Sequence, residues 1–358
     1  MLIVRSPVRI SFAGGGTDLP AFFHQERGAV LSTTINKYCY AILTRRDDGR
    51  IHLISADLRS NHAWHPMRDG HAGNDDLQLP MAALKQAIQP LSVNLFLASE
   101  IPPGTGLGSS AAVCVGVLKA IATYAHLPWS RYEIAERSYF VARHELHKPV
   151  GKQDEYASVF GGLNTIEFFP GGEVKVTPLP LAHDLLETLQ NRLLLFDTGQ
   201  AHNSWEILNQ QERDSAPLHS FSRQVLRQGL GLAEAMRNAL MASDLTGFGQ
   251  LLHQSWLYKK QVSRQISNAA IDDLYAGSRQ QGAEGGKITG AGGGGFLLLY
   301  CEPERQPQLR EYMRERNLRE MSFQFESGGA AVVVNDPYLD ADANCGQRWE
   351  FLPELVKS

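Results

Sequence analysis

The sequence PPGTGLGSSAA, residues 102–112, has three glycines at alternate positions directly before a segment whose apolar residues keep helical spacing. Glycine has no Cβ, so its backbone can adopt positive φ and approach a ligand closely. The amides of such a turn and the N-terminus of the following helix together favour an anion. No lysine precedes the serine pair, so this is not a Walker A loop. We predict a phosphate-binding turn, and an ordinary turn with a serine helix cap is the alternative.

The segments on either side of this turn alternate between strand and helix patterns. Residues 8–12 place Val8, Ile10 and Phe12 on one face of a strand and Arg9 and Ser11 on the other. Helices are predicted from residue 109 or 110 and over about 133–147, and the other strands are predicted at 38–43, 51–54, 93–97, 193–196 and 296–300. No regular βαβ repeat appears, which favours an α+β fold. A Pro-Leu-Pro sequence at 178–180 suggests a division into residues 1–180 and 181–358.

A second glycine cluster spans residues 285–295, where Gly290, Gly292 and Gly295 match the spacing GxGxxG. A dinucleotide-binding fingerprint follows a strand and opens a helix. Here the predicted strand 296–300 comes after the glycines, so we reject that interpretation. The cluster instead indicates backbone packed closely against another loop or a ligand, with a flexible hairpin as the alternative.

Composition and charge narrow the class of protein. Hydrophobic residues make up 43% and charged residues 20% of the 358 residues, which is enough for a folded core. The net charge of −4 argues against a nucleic-acid partner. Four separated cysteines, Cys39, Cys114, Cys301 and Cys345, form no CxxC pair and fit a reducing compartment. No signal peptide or membrane span is apparent, so we expect no membrane partner and a cytoplasmic location.

Three segments, 6–12, 103–112 and 287–295, resemble in order and spacing the three signature motifs of the GHMP small-molecule kinases. Within that superfamily, residues 9–20, 32–38 and 151–157 are similar to the D-glycero-D-manno-heptose 7-phosphate kinase branch. The resemblance implies a two-domain fold, with an N-terminal ribosomal-protein-like α/β domain that binds ATP and a C-terminal ferredoxin-like α+β domain. It also implies phosphorylation of the anomeric (C1) hydroxyl of a sugar or sugar phosphate, with ATP and Mg²⁺ bound.

The resemblance also implies roles for individual residues. The expected ATP-binding residues are Pro103, Gly104, Gly106, Leu107, Gly108, Ser109, Ser110 and Ala111. The expected substrate-binding residues are Gly15, Gly16, Thr17, Asp18, Lys152, Gly292 and Gly293. Asp154 matches the catalytic carboxylate, which orients the attacking hydroxyl and can accept its proton, and Arg9 is its expected partner or stabilises the transferring group.

The expected magnesium ligands are Ser110 and an acidic residue on the helix that precedes the catalytic loop. The family's carboxylate aligns near Ala142 or Arg143, and Glu145 is the nearest acidic residue. Magnesium accepts hydroxyl, carboxylate, phosphate and water oxygens, so water can replace a missing carboxylate.

The sequence is also compatible with other substrates and functions. Related heptose kinases carry an arginine in the stretch that corresponds to residues 197–203, and this chain has none there. A fucose-like or galactose-like hexose is therefore an alternative to a heptose 7-phosphate made for nucleotide-sugar and surface polysaccharide synthesis. A sugar-binding regulator without catalytic activity is a second alternative, and a homodimer is possible.

Overall fold

Two β-sheets covered by helices organise the chain in a computed structural model that describes residues 1–68, 75–199 and 220–336. The α+β fold predicted from the sequence is confirmed. Residues 200–203, which belong to the stretch 197–203 that lacks an arginine, and Cys345 lie outside the described residues. Within the described ranges, no helix has the length and apolar character that crossing a bilayer requires.

The first sheet is built mainly from the N-terminal half. Its strands follow the order β12-β1-β2-β5-β3-β4, and β6 and β7 extend it beside β2. Pairing is antiparallel except between β3 and β5. The strands are β1 Leu2–Ala13, β2 Gly28–Arg45, β3 Ile51–Ser55, β4 Ser60–Trp64, β5 Val93–Ser99, β6 Asn164–Phe168, β7 Val174–Pro178 and β12 Ala331–Asn335.

Among the described residues, five helices belong to this half of the chain. They are α1 Pro20–Phe23, α2 Gln78–Leu84, α3 Ser109–Tyr124, α4 Arg131–Phe140 and α5 Gln153–Phe160. The side chains of α3, including Val115, Leu118 and Ile121, pack in the core against the sheet. The second predicted helix divides into α4 and a π-helical turn, Val141–Glu145.

The second sheet has the antiparallel order β11-β8-β10-β9. Its strands are β8 Leu193–Asp197, β9 Ala283–Ile288, β10 Phe296–Cys301 and β11 Arg319–Glu320. The helices of this half are α6 His183–Asn191, α7 Ser220–Met241, α8 Leu245–Val262, α9 Ala269–Gln280 and α10 Gln306–Glu315.

Strand β1 joins the two halves. Val8, Ile10 and Phe12 lie on one face, as their alternation predicts, and pack with Phe248 of α8 and Leu298 of β10 in a shared core. Burying each such side chain contributes about 1.5–3 kcal/mol. The opposite face is also buried, and it carries Arg9 into the cleft between the halves.

The end of the described chain returns to the first sheet. Strand β12 pairs with β1, with Leu2 opposite Asn335, and so belongs to the first sheet. It satisfies the backbone N–H and C=O groups on the open edge of β1. The Pro-Leu-Pro sequence predicts a division but carries no signal of this pairing, which arises between distant segments.

Candidate active site

A cavity of about 290 Å³ lies where both glycine-rich loops, β1, α5 and the helices of the C-terminal half meet. Several sequence-predicted site residues line it together. They are Arg9, Gly15, Gly16, Asp18, Pro103, Gly104, Gly106, Gly108, Ser109, Ser110, Ala111 and Asp154. The tertiary structure therefore gathers residues separated by more than 140 positions into one concave site.

The first glycine-rich loop has the backbone that a phosphate-binding turn requires. Gly104, Gly106 and Gly108 have φ values of 76°, 80° and 77°. Helix α3 begins at Ser109, and its N-cap residue Gly108 provides no side-chain hydrogen bond. The first amides of α3 thus lack a side-chain cap, and Ser109 and Ser110 belong to the helix instead of capping it. Such a helix start, with its partial positive charge, favours an anion in the cavity.

The second glycine cluster packs on the first. A Cβ at Gly290 would lie 2.4 Å from Gly106 Cα, and one at Gly295 would lie 2.4 Å from the Thr105 carbonyl oxygen. The Thr289 hydroxyl donates to that carbonyl at 3.1 Å. The close backbone approach predicted from the four successive glycines is therefore present, and its partner is the first loop.

Arg9 and Asp154 form the central charged pair. The Arg9 guanidinium donates from Nε and Nη2 to the two carboxylate oxygens of Asp154, at 2.8 and 2.7 Å. Its Nη1 donates to the Gly106 carbonyl at 2.6 Å, and its backbone N–H donates to the Leu107 carbonyl at 2.9 Å. Arg9 is 3% exposed. This bidentate pairing holds the carboxylate beside the first glycine-rich loop.

Asp18 is a second carboxylate at the cavity. Its Oδ1 accepts from the Gly16 N–H at 2.9 Å, and its Oδ2 accepts from the Gln153 N–H at 3.3 Å. Burial and the nearby Asp154 raise its pKa to about 6, although both amides oppose the shift. Asp18 thus lines the cavity, and its role in binding substrate stays a prediction.

Four predicted substrate-binding residues do not line the cavity. The Thr17 hydroxyl donates within the turn to the Gly14 carbonyl at 2.8 Å. The Lys152 ammonium bonds Glu136 at 2.6 Å and the Gly172 carbonyl at 3.1 Å, behind the site. Gly292 and Gly293 lie against Ile266. Lys152 is 5% exposed, and its buried ammonium group forms an ion pair with Glu136.

Two further residues that were expected to bind ATP or magnesium, Leu107 and Glu145, do not line the cavity. Leu107 is fully buried in the core, and only its backbone contributes to the loop. Glu145, the expected magnesium ligand, accepts a hydrogen bond from Gln86 Nε2 at 2.7 Å and does not line the cavity. The π-helical turn Val141–Glu145 brings Ala142 to the cavity wall instead.

Sequence reasoning missed Glu155, which lines the cavity one residue after Asp154. It is 2% exposed, and its Oε2 has no hydrogen-bond partner among the described residues. Burial, and secondarily Asp154, raise the pKa of this carboxyl well above its usual value. The described ranges hold no group of three or more His, Cys, Asp or Glu side chains arranged for a metal ion.

Two lysines of the C-terminal half were also missed. Lys287 lies within the second glycine cluster but receives no role from the resemblance, and Lys259 lies in α8, where no motif marks it. The Lys287 ammonium donates to the Phe12 carbonyl at 2.9 Å. Burial and the nearby Arg9 lower its pKa to about 7. Only the crossing of α8 over β9 and β1 brings these cations to the site.

Comparison with known proteins shows which families and relatives this chain is similar to. The family described as GHMP kinases N terminal domain matches residues 78–162, and GHMP kinases C terminal matches residues 233–318. A D-glycero-alpha-D-manno-heptose 7-phosphate kinase of Campylobacter jejuni is 31% identical, over 91% of this chain and 96% of its own length. A bifunctional fucokinase/GDP-fucose pyrophosphorylase of Arabidopsis thaliana is 26% identical, over 87% of this chain and 31% of its own length.

A solved structure shares the whole architecture. The crystal structure of a D-glycero-D-manno-heptose 1-phosphate kinase from Bacteroides thetaiotaomicron aligns with a TM-score of 0.78 and 25% sequence identity, and it covers 94% of this chain and 100% of its own. The three sequence motifs, the shared fold and the 31% identical relative matched over nearly its full length lead to one conclusion: this chain belongs to the GHMP kinases, a family of ATP-dependent kinases.

Proposed function

We propose that this protein transfers the γ-phosphoryl group of ATP to the anomeric hydroxyl of D-glycero-D-manno-heptose 7-phosphate. The observation that carries the proposal is the Arg9–Asp154 pair, held against the Gly106 carbonyl in the same cavity as the start of α3. The C. jejuni relative supports the choice of sugar. The product would be a sugar 1-phosphate suited to nucleotide-sugar synthesis.

In this reaction the loop 104–110 binds the ATP phosphates through its amides, and Asp154 orients the sugar hydroxyl. Phosphoryl transfer passes through a loose transition state, so positioning and charge stabilisation supply most of the catalysis. Asp154 accepts the hydroxyl proton as the new P–O bond forms. Arg9 holds the carboxylate in place throughout, because three of its donors are bound to Asp154 and Gly106.

The cavity also suits Mg²⁺, which neutralises charge on the phosphates when bound. Oxygen ligands are what this ion requires. The Ser110 hydroxyl lines the cavity, and the unpartnered Oε2 of Glu155 is a carboxylate oxygen in its wall. We therefore assign the carboxylate ligand to Glu155 in place of Glu145, and nucleotide phosphate and water oxygens would complete the coordination.

We place the sugar at the end of the cavity that α7 borders. Val225, Leu226 and Gly229 line the cavity from one face of that helix, and Gly15 also lines it. A Cβ at Gly229 would meet no atom within 4 Å, and one at Gly15 would meet only Gln153 Nε2, at 3.7 Å. Neither glycine has a positive φ. Packing and backbone conformation do not require these two glycines, which supports a substrate larger than a hexose.

Replacing Gly229 with Leu is expected to raise the KM for heptose 7-phosphate by about tenfold or more, because the side chain would fill the sugar-binding end. The KM for ATP should stay within about twofold, and helix stability should rise. Steady-state kinetics with each substrate varied in turn would measure both values. Gly231→Leu is the matched control, since Gly231 also has free space around a Cβ but does not line the cavity. Equal effects of both changes would contradict this placement of the sugar.

The function itself is tested by measuring ADP release with a panel of sugars and sugar phosphates. We expect turnover with heptose 7-phosphate to exceed that with fucose, galactose and mannose, and ³¹P NMR should show the new phosphate on C1. Preferred turnover of a free hexose would support the fucose-like alternative. Sugar binding with no ADP formed would support the non-catalytic regulator. A cytoplasmic location, a homodimer and the division at residues 180 and 181 stay predictions.

A further inference from the structure

Two lysines that have no carboxylate partner among the described residues line the cavity. Lys287 is 5% exposed, and Lys259 is half-buried in α8. Lys287 Nζ donates to the Phe12 carbonyl, and Lys259 Nζ donates to the carbonyls of Ile288, at 3.1 Å, and Gly290. Among residues 1–68, 75–199 and 220–336, no carboxylate oxygen lies within 4.0 Å of either group.

Other lysines show that this arrangement is unusual in the molecule. Lys152, which is equally buried, pairs with Glu136 at 2.6 Å, and Lys260, the neighbour of Lys259 in α8, pairs with Asp272 at 2.9 Å. A buried charge is costly unless an opposite charge or a ligand accompanies it. Arg9 adds a third cation, but Asp154 already neutralises it. When protonated, the two lysines therefore add positive charge to a cavity that the carboxylates of Asp18 and Glu155 also line.

This charge lies beside the first glycine-rich loop. Lys259 bonds the carbonyl of Gly290, the residue that packs against Gly106. Lys287 bonds the carbonyl of Phe12, three residues along β1 from Arg9, which itself bonds the Gly106 carbonyl. The loop contains no lysine of its own. Its amides provide partial charges only, so a bound triphosphate needs full charges from elsewhere.

We propose that Lys259 and Lys287 form a phosphate subsite that binds the terminal phosphates of the nucleotide from the side of the C-terminal half. The proposal rests on the proposed kinase function and adds two binding residues to it. With these lysines and the loop on opposite sides, the nucleotide would be held by both halves of the chain. The transferring group would lie between Gly106 and Asp154.

A proton linkage follows from this arrangement. The groups facing Lys287 are Arg9 from β1, Lys259 from α8, and the Phe12 carbonyl. Burial and Arg9 lower the Lys287 pKa to about 7, and burial, Lys287 and Arg9 lower the pKa of Lys259 well below its usual value. A phosphate dianion would raise both pKa values, because it favours the charged forms. Binding of ATP near pH 8 should therefore take up protons.

The test is isothermal titration of the full-length protein with ATP and with AMP, in the absence of sugar. Lys259→Met and Lys287→Met should each weaken ATP binding by about tenfold or more, since each removes a charge-assisted hydrogen bond. AMP binding should stay within about twofold, because AMP lacks the terminal phosphates. Lys260→Met is the matched control from the same helix and should bind ATP as the unaltered protein does.

Two additional measurements keep the test decisive if a variant folds poorly. Lys259→Gln retains a hydrogen-bond donor and removes only the charge. Proton uptake by the unaltered protein at pH 8, measured in two buffers of different ionisation enthalpy, requires no variant. Equal losses of ATP and AMP affinity, unchanged ATP affinity, or no proton uptake would overturn the subsite. Lysine-dependent ATP binding without phosphorylation of any sugar would contradict the proposed function and leave the subsite standing.

Discussion

Asp154→Asn is expected to lower kcat by about 10²–10⁴-fold, the usual range for loss of a positioned proton acceptor. The amide cannot accept the hydroxyl proton, and it offers only one oxygen to the Arg9 guanidinium, which now binds two. The affinity for ATP should change little, because the start of α3 and its loop are unaltered. The ADP-release assay at saturating ATP and sugar would measure kcat, and titration calorimetry would measure ATP affinity.

Asp184→Asn is the control for this change. Asp184 lies in the first turn of α6, as Asp154 does in α5, but it is exposed and far from the cavity. Its replacement should leave kcat unaltered. Circular dichroism would establish that the Asp154 variant is folded. An Asp154→Asn protein that is folded and retains more than about a tenth of the kcat would exclude the catalytic role assigned to this carboxylate.

Gly106→Ala is expected to lower the free energy of unfolding by about 1–3 kcal/mol and to weaken ATP binding by about tenfold or more. Gly106 has a φ of 80°, a backbone conformation that residues with a side chain rarely adopt. An added Cβ would also lie 2.6 Å from the Thr289 carbonyl oxygen, so the two glycine-rich loops would have to separate. Urea unfolding and ATP titration would measure the two effects.

Gly231→Ala provides the contrasting case. It lies inside α7, has no positive φ, and an added Cβ would meet nothing within 4 Å. The change should stabilise the protein by up to about 1 kcal/mol, the difference in helix propensity. ATP affinity should not change. Normal ATP affinity in Gly106→Ala would mean that nucleotide binding does not depend on the contact between the loops.

Local sequence patterns determined much of the fold and the centre of the site. The alternation of Val8, Ile10 and Phe12 predicted β1, and the glycines before Ser109 predicted the turn and the start of α3. These features depend on interactions between near neighbours, which the order of residues specifies. The pairing of Arg9 with Asp154 could be predicted only through the resemblance to a family, because 145 positions separate the two residues.

Other site residues could not be predicted in this way. Glu145 and Lys152 have the right chemistry and lie close in sequence to Asp154, yet Gln86 and Glu136 bind them outside the cavity. Glu155 faces the cavity because α5 turns it there, and the similar segment 151–157 gives it no role. Nearness in sequence does not decide which face of a helix or turn a side chain occupies.

The sequence alone thus predicted β1, several other strands, the start of α3 and the two glycine-rich loops, and the family resemblance implied the Arg9–Asp154 pair. Only the tertiary structure decided that Lys259, Lys287 and Gly229 border the same cavity, and that β12 returns to β1. The physical reason is the range of the interactions involved. Turns and periodic patterns arise within a few residues, whereas the crossing of α8 over β9 and β1 and the pairing of β12 arise from packing between distant segments.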